Sequence, residues 1–195
     1  TGIDPAPELT VTLWDSASTG VAMPAPPWPA SAYSARGDIL GFEDARYRVT
    51  YHVGNGVLSM VDMSQGRALC WIHDAQVVPS DVKSKPLLHI LQWWLASHNC
   101  QPLHAGLVGI TGGAALLAGQ SGAGKSSTAL ACLAAGLLFG GDDFCMVETG
   151  DVLQAHSLYS SGRLHSGELE SLPSLQATIV NPDQLDGEKA LFFLQ

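Results

Sequence analysis

Gly119, Gln120, Ser121, Gly122, Ala123, Gly124, Lys125, Ser126 and Ser127 fit the pattern G-x-x-x-x-G-K-[ST] at every constrained position. In that pattern the glycines let backbone N–H groups close around phosphate oxygens. The lysine reaches the β- and γ-phosphates, and the hydroxyl after it is suited to Mg²⁺. Lys125 and Ser126 are the candidates for those two roles, and the implied chemistry is the handling of a nucleoside triphosphate. The competing reading is a glycine-rich turn carrying a surface lysine.

A loop of this kind works only if a strand delivers it and a helix receives it. Residues 114–118 are an apolar run of strand length, and residues 126–135 are rich in Ala and Leu, with no Pro or Gly before Gly136. Strand, loop and helix are therefore predicted in the required order, with Gly136 closing the helix. The helix N-terminus would add partial positive charge to the phosphate cradle. Two adjacent acids, Asp142 and Asp143, follow Lys125 by 17 and 18 positions. Such a pair can divide the labour, one holding Mg²⁺ and the other taking the proton of an attacking hydroxyl, or it can simply cap a turn.

Taken with His104, 15 residues before Gly119, these marks resemble the core of the HPr kinase/phosphorylase family. That family's catalytic domain resembles the nucleotide-binding part of phosphoenolpyruvate carboxykinase and phosphorylates a serine of a small protein with ATP and Mg²⁺. The resemblance spans about 45 residues, from His104 to Glu148. It implies that Lys125 and the loop amides hold ATP and that Ser126 with Asp143 holds Mg²⁺. It further implies that Asp142 is the base and that His104, placed by the sequence on an apolar strand, stands near the transferred group. The first hundred residues do not resemble the N-terminal domain of that family, and its later arginine-bearing signature is not found in this chain. The run from His156 to Leu164, followed by Glu188, Lys189, Ala190 and Leu191, is instead similar to HPr-kinase-like proteins of lasso-peptide and other peptide-modification systems. Those homologues phosphorylate a serine of a precursor peptide. Arg163 and Lys189 are the only Lys or Arg after the loop. Each suits phosphate or a peptide carboxylate, and each is equally ordinary as a surface charge.

The 195 residues are 46% hydrophobic and 14% charged, as expected of a globular chain, and the formal charge of −9 argues against a nucleic-acid partner. Four widely separated cysteines suggest neither a zinc site nor a disulfide framework. No signal or membrane-spanning segment is read, so a cytoplasmic location is expected. Residues 1–100 are predicted as a mainly β module: strands near 8–14, 46–53, 57–61 and 68–72, a proline-rich connector at 23–29, and a buried helix beginning at Pro86. Within that helix Trp93 and Trp94 fit core packing better than base stacking. Residues 101–195 are predicted as the P-loop kinase core, with one strand over 103–110 and an apolar end, Leu191 to Leu194, that suggests incompleteness. The expected fold class is α/β. The expected activity is an ATP- and Mg²⁺-dependent serine kinase acting on a peptide or small protein, with homo-oligomerisation open. A small-molecule kinase and a non-catalytic ATP-binding sensor or scaffold are the alternatives.

Overall fold

Val49 and Tyr51 alternate with polar neighbours, Leu58 and Met60 and then Leu69 and Trp71 repeat that period of two, and the strand register lines all six up on one face of a sheet. The computed structural model describes residues 8–34, 37–185 and 189–194, the side chain of Gln184 excepted. Glu188, part of the second resemblance, lies outside them. The chain forms two compact units, one drawn from Thr1–Pro79 and Leu87–Trp94, the other from Ser80–Pro86 and Leu95–Gln195.

In the first unit, β1 (Thr10–Asp15) leads into the single-turn α1 (Ser16–Thr19), and β2 (Tyr47–His52), β3 (Val57–Asp62) and β4 (Arg67–Ile72) follow. The strand order is β1-β4-β3-β2, with β1 parallel to β4 and the other pairs antiparallel. Val49, Leu58 and Trp71 pack against Trp28, Ala32 and Ile39 from the proline-rich connector and the residues after it. The opposite face carries Val61, Ala68 and Cys70 against Ile90. Trp93 and Trp94 pack on this second cluster, as core residues would. In the same unit His52 and His89 bring their Nε2 atoms to 3.4 Å, and burial holds the His89 imidazole below its ordinary pKa.

The chain then forms the short α2 (Ser80–Lys83) and α3 (Leu88–Ala96). The helix does not begin at Pro86, because Leu87 takes a left-handed φ of 61° and interrupts it. Only Ile90 in α3 is buried; its other large apolar side chains are partly exposed.

The second unit holds β5 (Cys100–Leu103), β6 (Gly106–Ile110), β7 (Gly113–Leu117) and α4 (Lys125–Ala134), then β8 (Leu138–Gly141), β9 (Cys145–Glu148), β10 (Gln154–Ser157), β11 (Ser161–Leu164) and β12 (Ala190–Phe193). They form antiparallel sheets in the orders β7-β6-β8 and β10-β9-β5, and the pair β11-β12. The single strand expected over 103–110 is therefore two strands in different sheets, broken where the Ala105 N–H turns back to the Leu103 carbonyl at 3.0 Å. Leu130 of α4 packs with Leu164, Leu169, Leu172, Leu175, Ala190 and Phe192. β12 thus supplies two fully buried core residues, Ala190 and Phe192. The fold is mixed α/β and mostly β, with several small sheets and few helices. Among the described residues no helix is long and apolar enough to cross a membrane.

Candidate nucleotide and phosphoryl site

The loop between β7 and α4 turns on two left-handed glycines, Gly122 with φ 82° and Gly124 with φ 81°, a conformation that costs a residue with a Cβ roughly 1–2 kcal/mol. Gly124 caps α4 without any side-chain hydrogen bond. The N–H groups of the first helical turn, which have no intrahelical acceptor, therefore stay available at the positive end of the helix. Lys125 Nζ donates to the carbonyls of Gly119 at 2.8 Å and Gln120 at 3.1 Å, bracing the loop from inside. Ser127 Oγ donates to Glu168 Oε1 at 2.6 Å. The helix starts one residue before its expected first residue, and the N–H of the left-handed Gly136, φ 87°, returns to Leu133.

The acid pair follows β8, and its members occupy unlike surroundings. Asp142 is 2% exposed, and its Oδ2 accepts the Arg163 backbone N–H at 2.9 Å. Its Oδ1 is buried with no hydrogen-bond partner among the described residues. Burial pushes the Asp142 carboxyl above its ordinary pKa, with the Arg163 N–H and the nearby Ser126 hydroxyl pulling the other way. Asp143 instead meets three basic groups: Lys85 Nζ at 3.5 Å and Arg163 NH1 at 3.8 Å from Oδ2, and His104 Nε2 at 3.6 Å from Oδ1. His104 does not stand on an apolar strand. It occupies the break between β5 and β6, its side chain 58% exposed, and its ring stacks on Phe144 at 5.1 Å and 18°.

These parts open on one cavity of about 700 Å³, lined from the loop side by Ser121, Gly122, Gly124, Lys125, Ser126 and Ser127. Asp143, His104 and Arg163 line it as well, together with Lys85, Lys189, His165 and Glu168. Asp142, the expected base, does not line it, because its carboxyl is turned into the protein beside Ser126. Four of the nine Lys and Arg of the chain line this cavity, against two carboxylates. Arg163 and Lys189, equally readable as surface charges, are both among its walls. Lys85, His165 and Glu168 carried no sequence signal, since each arrives from a segment with no motif of its own.

The residues present fit a divalent cation at one point. The unpartnered Asp142 Oδ1 lies in the same neighbourhood as the Ser126 hydroxyl, and hard oxygen donors of this kind suit Mg²⁺. Among the described residues no three His, Cys, Asp or Glu side chains gather as a metal cluster. No known family model matches the chain, and no curated protein matches it.

Proposed function

We propose that the protein is an ATP- and Mg²⁺-dependent kinase that transfers the γ-phosphoryl group to a serine hydroxyl of a peptide or small protein, on a core of the HPr kinase type. The observation that carries this reading is the convergence of an uncapped helix N-terminus, a glycine loop with its lysine, and three further cations on a cavity lined by only two carboxylates among the described residues, Asp143 and Glu168. A chain of net charge −9 that gathers four of its nine cations in one cavity is built to receive a polyanion. The serine acceptor is supported by the resemblance carried by His104, the loop and the acid pair.

We assign the two acids differently from the resemblance. Ser126 and Asp142 would hold Mg²⁺, which when bound neutralises phosphate charge. Asp143 faces the cavity and receives the proton of the acceptor hydroxyl, while His104 and Arg163 fix its orientation. The loop amides and Lys125 bind the β- and γ-phosphates, so that transfer is mainly a matter of positioning and charge stabilisation. The decisive experiment incubates the protein with MgATP and a library of serine peptides and reads phosphoserine by mass spectrometry. Asp143→Asn should bind MgATP normally and transfer nothing, whereas Asp142→Asn should raise the Mg²⁺ concentration needed. Transfer by Asp143→Asn at the wild-type rate would overturn the assignment of the base. ATP binding with no phosphorylated product from peptides or small hydroxyl compounds would instead mark a non-catalytic nucleotide-binding module.

A further inference from the structure

Lys85 reaches the cavity from a short segment whose backbone is pinned on both sides of it. The Ser84 carbonyl accepts Ser161 Oγ at 2.9 Å, and the Pro86 carbonyl accepts the Tyr159 hydroxyl at 2.8 Å. Ser84 is buried, and burial holds the Tyr159 phenol well above its ordinary pKa, so it remains an O–H donor. The Lys85 side chain is only 17% exposed, with Nζ lying 5.8 Å from the centroid of the Phe144 ring. Confining a long charged side chain costs rotamer entropy and hydration, and an ordinary surface ion pair does not require two backbone tethers.

The charge around Lys85 is also unbalanced. Lys85 and Arg163 share one carboxylate oxygen at 3.5 and 3.8 Å, both longer than the roughly 2.7–3.2 Å of a formed N–H···O bond. Arg163 Nε is buried without a partner among the described residues. Two cations with donors to spare thus flank the carboxylate proposed to meet the acceptor hydroxyl. An anion with several acceptor oxygens satisfies them, and Asp143 alone does not.

We infer that Lys85, with Arg163 beside it, forms a second anion subsite that holds the phosphoryl group as it passes from the nucleotide to the acceptor, with Tyr159 and Ser161 acting as positioning residues. This rests on the kinase reading. In the step, the bond from the γ-phosphorus to the oxygen bridging it to the β-phosphate breaks, and ADP leaves with that electron pair. A bond forms from the acceptor oxygen to phosphorus, the acceptor proton goes to Asp143, and Lys85 and Arg163 donate to the oxygens of the moving group.

The test uses the whole chain and needs no acceptor. The affinity for MgADP is measured by calorimetry with and without aluminium fluoride, which imitates the phosphoryl group in flight, and thermal melting checks the fold of each variant. In the wild-type protein the fluoride should tighten MgADP binding about tenfold or more. Lys85→Met should lose that tightening while binding MgADP alone within about twofold of wild type, and Lys85→Arg should retain most of it. Tyr159→Phe, which keeps the charge and loosens the tether, should lose part. Undiminished tightening in Lys85→Met, or in Tyr159→Phe if the former fails to fold, overturns the subsite. Failure of the wild-type protein to bind MgADP overturns the kinase reading instead. Titration of inorganic phosphate into wild type and Lys85→Met then decides separately, with weaker binding to the variant supporting the subsite and equal binding overturning it.

Discussion

A carboxyl group enclosed by protein and another edged by three bases stand side by side at Asp142 and Asp143, and burial separates their chemistry more than one step along the chain suggests. For Asp142 the raised pKa fixes the sign of a pH effect. Between the ordinary aspartate pKa and its raised folded value, the folded state holds a proton that the unfolded state has lost, so its contribution to stability falls as pH rises through that window. Unfolding free energies of wild type minus Asp142→Asn, measured by denaturant titration from about pH 4 to pH 8, should therefore decline with pH and then level off. A difference that rises with pH would refute the assignment. At Lys125 the expectation is simpler: Lys125→Ala removes the cation of the loop and should weaken MgATP binding at least about tenfold, read by calorimetry.

At the scale of elements, α4 and its loop were legible because every constraint on them is local: glycines at fixed offsets, an alanine- and leucine-rich helix, a closing glycine. Gly124→Ala tests the left-handed cap. Its Cβ would meet nothing within 4 Å, so the expected loss of roughly 1–2 kcal/mol is purely conformational, with weaker anion binding as the loop amides shift. The strands of the first unit were legible by their period of two. What local pattern could not supply was convergence. The break at His104 arises because β5 pairs with β9 while β6 pairs with β7 and β8, and the β9 partners lie far along the chain, from Leu103 with Cys145 to Cys100 with Glu148. The same holds for β12, whose Phe192 joins the cluster with Leu130 and Leu164, residues distant from it in the sequence. Phe192→Ala should cost about 3–5 kcal/mol, visible as an earlier unfolding transition of the second unit in denaturant.

At the scale of the whole molecule, the total charge is legible in the sequence but its distribution is not. With net charge −9 and four of nine cations gathered in one cavity, attraction for a polyanion is local and set against a repulsive background. MgATP affinity should accordingly fall between about 50 mM and about 500 mM KCl, while duplex DNA should show no binding by fluorescence anisotropy at either salt. Salt-independent MgATP binding would contradict this electrostatic account. The passage of the chain between its two units at 79/80, 86/87 and 94/95 bears on how the protein can be dissected. A fragment cut at residue 101 to isolate the glycine loop would keep Gly119 to Ser127 and both acids. It would discard Lys85 and leave Tyr159 and Ser161 without the carbonyls of Pro86 and Ser84 that they hold. On the kinase reading such a fragment would lack the proposed second anion subsite, so loss of transfer after truncation would report on the cut and not on the reading itself.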